Sequence, residues 1–410
     1  MLGLARSGEA AALALARRGV RVVGSDSSRE IEAGRLVEAG VEVRLEEEEE
    51  ALLEQVEAVV KSPGVPGEVP VVRRARERGI PVWSEVELGA RLLPNPLVGV
   101  TGTNGKTTTS ELLGWIFLQD SGRQVAVAGN VGRPLTALDG QLPAEAWIIC
   151  ELSSFQLEDV DRFRPRIAVL LNLEPDHLDR HRSFGAYRSA KLRVFENQRP
   201  ADVAIVPRGF GEIPGSARRI DFWRDDALPA EPLLRGAHNR ENAAAATVAA
   251  RAAGVSEAAI ARGLETFPGV AHRLELVREV RGVAFVNDSK ATNVAAARPA
   301  LIAYADHPLH LILGGSLKGE SFEGLTDAIG PNVRRAYLIG EAAADLAAAL
   351  EGTGVEYEWS GDLETAVRAA AAAAEPGDVV LLSPACASYD QFVNFAERGD
   401  TFRRVVEELR

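Results

Sequence analysis

Lysine is the scarce residue of this chain. Of 46 Lys and Arg residues among 410, only five are lysine: Lys61, Lys106, Lys191, Lys290 and Lys318. Codon bias toward arginine explains the general replacement. The surviving lysines are then enriched for sites where a compact ammonium meets phosphate or an amine must be modified. Lys61 is as well explained by chance survival. Two cysteines, Cys150 and Cys386, exclude a disulfide framework. No apolar run approaches the roughly 20 residues of a membrane-spanning helix. Net charge is −13 and no basic stripe is present, which excludes broad nucleic-acid binding. Small anions held by local lysines and backbone amides remain open. The chain opens inside a structural element with no signal peptide, so the expectation is a monomeric cytoplasmic enzyme of two or three domains, engaging neither nucleic acid nor membrane.

What is present is an alternation of short apolar strands and amphipathic helices, which predicts α/β units with mostly parallel sheets. Residues 1–26 read as a Rossmann-like start: a turn from Gly3 to Gly8, a helix from Glu9 to Arg18, and a strand near Arg21–Gly24 ending at Asp26. Only two residues precede Gly3, so either the true start lies upstream or the first strand is truncated. The run Glu46–Glu50 reads as a solvated helix start. Leu92–Pro96, with two prolines, reads as a linker. Strands are expected near 58–61, 96–100, 124–128, 146–151, 167–171 and 202–206, then near 274–280, 283–286, 309–313, 336–339 and 379–382. Alanine-rich helices are expected at 241–253, 342–350 and 363–374.

The most informative segment is Gly99-Val-Thr-Gly-Thr-Asn-Gly-Lys-Thr-Thr-Thr109, between an apolar strand and a helical run. Gly102, Thr103, Asn104 and Gly105 let backbone N–H groups converge on oxyanions. Lys106 reaches the outer phosphates, and Thr107, followed by Thr108, offers a hydroxyl to magnesium. The chain therefore binds ATP or a close relative. Glu151 ends the strand Trp147–Cys150 and is a candidate magnesium ligand, with helix capping as the competing reading. His177 follows another strand among acids, in Leu170–Asp179, and precedes Lys191 by a helix length. Read alone, Lys191 is an exposed lysine on an amphipathic helix, and only lysine scarcity argues otherwise. Asn287–Asn293, Gly314–Lys318 and Ser383–Ser388 furnish three strand ends with small and polar residues, resembling the wall of a small-anion site. Cys386 reads as packing, since no histidine lies nearby in sequence.

These residues resemble the Mur ligases, ATP-dependent amide-bond ligases of cytoplasmic peptidoglycan synthesis. The resemblance rests on Thr101–Thr108, Glu151–Gln156, His238-Asn239 with Asn242, and His272-Arg273. Asn287–Asn293 and Ser383–Phe392 are similar to the branch that adds D-glutamate. The resemblance implies an α/β fold of three domains: Rossmann-like 1–86 for the uridine diphosphate, a central P-loop ATPase domain with a parallel sheet over 87–269, and a Rossmann-like α/β domain over 270–410 for the amino acid. It implies two magnesium ions, one held by Thr107 and Glu151 with ATP, the other by His177 and Lys191. It also implies that Lys191 carries a carbamate derived from carbon dioxide, an adduct arginine cannot form. Arg6, Ser7, Asp26, Ser27, Ser62 and Gly64 would meet the uridine diphosphate end of UDP-N-acetylmuramoyl-L-alanine. Asn130 and His177 would approach its muramoyl-alanine part. Asn242, Arg273, Asp288 and Lys290 would surround the nucleotide, and Thr292, Lys318, Ser388 and Phe395 would hold D-glutamate. Lys106, Glu151, His177, Lys191 and Lys290 are the implied catalytic set.

Two other readings stand beside this one. A sister ligase, adding another amino acid or glutamating folate, shares the loop but not the last two motifs. A P-loop switch or binding module would hydrolyse ATP without substrate and leaves the three furnished strand ends without a purpose.

Overall fold

A computed structural model describes residues 1–28, 31–45, 52–54, 56–234, 236–317 and 322–410. The acidic run Glu46–Glu50 and Lys318 lie outside the described residues. The chain divides into a first unit, Met1–Phe267, and a second, Pro268–Arg410.

The first unit begins with two parallel strand pairs joined by one bridging residue, Leu2. β1 (Val23–Asp26) pairs with β2 (Glu42–Leu45), and β3 (Val59–Lys61) with β4 (Val82–Ser84). Leu2 bridges Ser25 on one side and Lys61 on the other. Its N–H donates to Val60 O (2.8 Å), and its carbonyl accepts from Ser62 N (2.8 Å). Gly3 N donates to Ser25 O (2.8 Å). Neighbours on both sides thus satisfy the backbone groups of Leu2 and the Gly3 amide. The following helix starts at Arg6 rather than Glu9 and runs to Arg17.

The expected linker is instead a packed joint. A helix spans Glu85–Leu92, with Ser84 accepting from Glu87 N as its cap. The Asn95 amide donates to Pro143 O (2.7 Å) and Ala146 O (2.9 Å). Glu87 is buried and accepts from the N–H groups of Asp161, Arg162 and Phe163 and from Arg91 Nε. Buried Glu85 accepts from Thr136 N and Oγ1, both at 2.7 Å. Two prolines stiffen the segment, and its buried polar groups are satisfied across the joint.

Beyond the joint, β5 (Leu97–Thr101), β6 (Val125–Gly129), β7 (Trp147–Glu151), β8 (Ile167–Leu170), β9 (Val203–Pro207) and β10 (Arg218–Phe222) form one parallel sheet in the order β10-β9-β8-β5-β7-β6. Its central strands β5 and β8 are buried along their whole length and mostly apolar, as burial on both faces demands. In the second unit, β11 (Glu275–Val280) runs antiparallel to β12 (Val283–Asn287). Then come β13 (Leu309–Gly314), β14 (Val333–Ile339), β15 (Glu356–Gly361) and β16 (Val379–Leu382), all parallel, in the order β11-β12-β16-β13-β14-β15. Apolar clusters cover both faces of this sheet. The order makes the ends of β12, β16 and β13 immediate neighbours. Among the described residues, no helix is long and apolar enough to cross a membrane.

Burial pushes the Glu85 carboxyl up to about 7, against the hydrogen bonds from Thr136 that favour its charged form. A raised carboxyl costs folding free energy as pH climbs past the ordinary value, and the cost is complete above pH 7. Glu85→Gln keeps the acceptor without the charge. We expect it to stabilise the fold at pH 8 by on the order of 1–2 kcal/mol and to gain little at pH 5. Thermal melts at the two pH values test this, and a variant less stable than wild type at pH 8 refutes it.

Candidate active site

The phosphate loop joins β5 to the helix Lys106–Leu118. Gly105 takes the N-cap position with φ 81° and supplies no side-chain cap, leaving the first-turn amides for a ligand. A Cβ at Gly105 would lie 2.2 Å from Asn242 Oδ1, so only glycine fits where that amide lies on the loop. The loop is held from the end of β8. Asn172 Oδ1 accepts from Asn104 N (2.8 Å), and Asn172 O from Thr103 N (3.1 Å). Glu174 N donates to Thr103 Oγ1 (3.0 Å), which also hydrogen-bonds Tyr187 OH (2.9 Å). Asn104 Nδ2 donates to Glu174 Oε2 (3.2 Å). Thr107 is buried and Thr108 half-buried in the helix's first turn.

Lys191 is not the exposed lysine of a plain amphipathic helix. On the helix Phe184–Glu196 it is 2 % exposed, and its Nζ donates to Gly102 O at 2.7 Å. Lys106 Nζ donates to the same carbonyl (3.0 Å) and to Thr103 O (2.8 Å). Burial first, then the neighbouring Lys106 charge, hold the Lys191 amine down at about 7. The Tyr187 ring, one helical turn earlier, lies 4.8 Å from Nζ.

Glu151 ends β7, buried, with Asn130 Nδ2 donating to its Oε1 (2.9 Å). Asn130 N also donates to Glu151 O (2.9 Å), so the two side chains form one fixture. His177 is half-exposed in a left-handed conformation, φ 51°. Its Nε2 lies 3.4 Å from Asp176 Oδ2, and its ring 4.9 Å from Phe155. A non-glycine residue held there costs free energy, and such strain gathers at functional sites. Among the described residues, no three His, Cys, Asp or Glu side chains are assembled for a metal. Glu151 and Thr107 offer hard oxygen donors that suit magnesium when phosphate oxygens complete the shell.

At the first sheet, Ser7 Oγ and Ser62 Oγ are 3.1 Å apart. Asp26 ties its own turn to the first loop, accepting from Ser28 N (2.9 Å) and Leu4 N (2.6 Å). Arg6 and Ser27 are exposed, and a Cβ on Gly64 would meet nothing within 4 Å.

In the second unit the three furnished strand ends meet around one residue. Arg398, on the helix Phe395–Glu408, is 1 % exposed. It donates to Ser289 Oγ (2.9 Å) and Ser289 O (2.9 Å), to Cys386 O (3.1 Å) and Ala387 O (3.1 Å), and to Gly314 O (3.4 Å). Asp288 accepts from Ser383 Oγ (2.7 Å) and Leu274 N (3.2 Å), and burial pushes its carboxyl up to about 7. Lys290 N donates to His272 O (2.9 Å), and Thr292 N to Lys290 O (2.9 Å). Ser388 is buried, Arg273 is exposed, and the Phe395 ring stands edge-on to His272. Sequence reading missed four fixing residues: Asn172, Glu174, Tyr187 and Arg398. The first two sit in a polar strand end already suspected, and Tyr187 lies one turn from a suspect lysine. Arg398 gave no signal, being one arginine among many.

A nucleotide-binding loop, a buried amine beside it and a second α/β unit with three converging strand ends define a ligase class, and comparison with known proteins names it. Residues 1–84 match the model of the Mur ligase MurD-like N-terminal domain, 100–210 that of the Mur ligase middle domain, and 272–386 that of the Mur ligase glutamate ligase domain. The chain belongs to the Mur ligase family. It is 45% identical to the UDP-N-acetylmuramoylalanine–D-glutamate ligase of Anaeromyxobacter dehalogenans, covering 100% of this chain and 97% of that one. It is 42% identical to the enzyme of that name from Acidobacterium capsulatum, covering 99% and 95%. In fold it resembles the UDP-N-acetylmuramate-alanine ligase of Thermotoga maritima, with TM-score 0.58 and 18% identity over 99% of this chain and 97% of the other. It also resembles the Escherichia coli FolC protein solved with ADP, with TM-score 0.55 and 20% identity over 78% and 93%.

The Gly105 geometry yields a test. Gly105→Ala places a methyl group against Asn242 and forces a left-handed alanine, a strain of about 1–3 kcal/mol. We expect ADP affinity to fall at least about tenfold while the helical circular-dichroism signal is retained. Unchanged ADP binding by calorimetry refutes the role given to this contact.

Proposed function

We propose that this chain joins D-glutamate to the alanyl carboxylate of UDP-N-acetylmuramoyl-L-alanine at the expense of ATP, in cytoplasmic peptidoglycan precursor synthesis, as a monomer of three domains (1–86, 87–269 and 270–410). The observation that carries the reading is the pair of amines on the Gly102 carbonyl, one of them buried and near neutrality, beside a strand-end carboxylate. The identity of relatives over the whole chain supports the choice of amino acid.

A carboxylate is a poor electrophile. Transfer of the γ-phosphoryl group to one of its oxygens, releasing ADP, makes an acyl phosphate. Lys106 and the first-turn amides of the loop offset charge on the phosphates, and Thr107 with Glu151 would hold one magnesium. Two magnesium ions, when bound, supply further charge neutralisation and alignment of the reacting oxygens. The amine of D-glutamate then attacks the acyl carbon. The carbon–oxygen bond to phosphate breaks, and the nitrogen loses a proton to give the amide. Thr292, Lys318, Ser388 and Phe395 are proposed to hold D-glutamate. Asn242, Arg273, Asp288 and Lys290 are proposed around the nucleotide, and Arg6, Ser7, Asp26, Ser27, Ser62, Gly64 and Asn130 along the uridine diphosphate and muramoyl-alanine.

An amine held down at about 7 has a substantial uncharged fraction at neutral pH. That is the form that takes up carbon dioxide, so Lys191 suits carbamylation, and His177 would share the second magnesium with it. Lys191→Ala is expected to lose activity by about 100-fold or more, and short carboxylic acids to restore part of it. The amine protonates as pH falls through 7, so wild-type activity should drop between pH 8 and pH 6. The acid-rescued variant should lack that step. Full activity in the unrescued variant overturns the assignment.

Phosphate release from ATP tests the whole reading. Dependence on both the nucleotide sugar and D-glutamate, with the amide product seen by mass, is the expected result. Dependence on another amino acid keeps the family and changes the substrate. Release with ATP alone refutes the ligase.

A further inference from the structure

Three cations donate to the carbonyls of the turn that follows β3, residues 62–67. Lys61 Nζ donates to Val65 O (2.9 Å) and pairs with buried Asp159 at 3.0 Å. Arg76 donates to Gly67 O (3.0 Å) and reaches the same carboxylate at 2.7 Å. The third cation comes from elsewhere in the chain. Arg180 donates to Pro63 O (2.9 Å) and Val65 O (3.5 Å), from a position three residues after His177.

Arg180 is fixed on its other side as well. Its guanidinium lies 3.9 Å over the Phe155 ring and 3.5 Å from Glu158. Phe155 is the ring packed 4.9 Å from His177. Glu158 lies 3.2 Å from His181 Nδ1, and His181 Nε2 is 2.9 Å from Ser154 Oγ. One planar cation therefore touches the turn of Ser62 and Gly64 on one side and the aromatic packing of His177 on the other.

We propose that Arg180 is a positioning residue that locks the uridine-diphosphate turn to the His177 turn, so that a nucleotide sugar seated at one end presents its carboxylate at the other. The proposal rests on the site reading above. Guanidinium geometry is what the role requires. A planar fork can serve two carbonyls edge-on while its face stacks on a ring, and a lysine ammonium cannot do both. The coupling is also asymmetric: among the described residues the hydrogen bonds of Arg180 go to the turn and to Glu158, while Asn172, Glu174 and Tyr187 hold the phosphate loop, which Arg180 meets indirectly through the Phe155, His181 and Tyr187 rings.

The test uses the full-length chain with Arg180→Ala, Arg180→Lys and, as an exposed control, Arg182→Ala. UDP and ADP binding are measured by calorimetry, and KM for each substrate by phosphate release. For both Arg180 variants we expect UDP affinity to weaken, and KM for the nucleotide sugar to rise, by about tenfold. ADP affinity and KM for ATP should stay within about twofold, and Arg182→Ala should match wild type. Parallel loss of UDP and ADP binding would mean general destabilisation and overturn the proposal. Wild-type behaviour of Arg180→Lys would overturn it equally. The calorimetric arm needs no turnover, so a wild-type chain without D-glutamate-dependent phosphate release defeats the ligase reading while leaving Arg180 to be judged on UDP and ADP.

Discussion

Two amines share one carbonyl oxygen, that of Gly102, and much of the first unit follows from keeping them there. Lys106 arrives from the loop's own helix and Lys191 from a helix some 85 positions later. Like charges this close repel, and burial removes the water that would screen them. The fold accepts that cost by letting Lys191 approach neutrality while Lys106 keeps two carbonyl partners. Asn172, Glu174 and Tyr187 fix the loop so that the oxygen both amines need does not wander. A phosphate-binding loop and a chemically addressable amine are thereby built as one object.

The second unit solves a different problem with a different device. Its strand-end loops carry small and polar residues that have little ladder of their own. A buried guanidinium supplies five donors in a rigid fork, and Arg398 distributes them over three loops at once. Burial lowers its basicity to about 10, against the pull of the Asp390 charge, yet it stays charged at neutral pH. Ser383 and the Leu274 amide similarly hold Asp288, whose carboxyl is poised near neutrality.

Much of the sheet framework was legible in the sequence because parallel strands buried on both faces are continuous apolar runs, as in Val98–Val100 and Ile167–Leu170. The edge strands β10 and β15 were not, because Arg218, Arg219, Glu356 and Tyr357 face solvent and hide the pattern. The proline pair near Leu92–Pro96 reads as a linker in sequence, whereas Glu85, Glu87 and Asn95 make it a joint through partners 40 to 80 residues away. In the site, lysine scarcity drew attention to Lys191, whose helix context alone said surface. The same reasoning undervalued Lys61, which is buried against Asp159. Scarcity had a blind side too. In a chain that spends arginine everywhere, the arginines that hold the architecture, Arg180 and Arg398, look like all the others.

The hub at Arg398 has a consequence for how these loops can change. Loops that answer to separate supports can drift one at a time, each trial leaving the rest intact. Here the backbone carbonyls of Ser289, Gly314, Cys386 and Ala387 all answer to one side chain, so a shift in any loop is felt by its neighbours through a shared rigid plane. The conformation of the three loops in such a domain is inherited as a block. A laboratory exchange of one loop for that of a sister ligase would carry its new shape against the old hub, whereas moving the three loops together with the Phe395–Glu408 helix would transplant an intact unit.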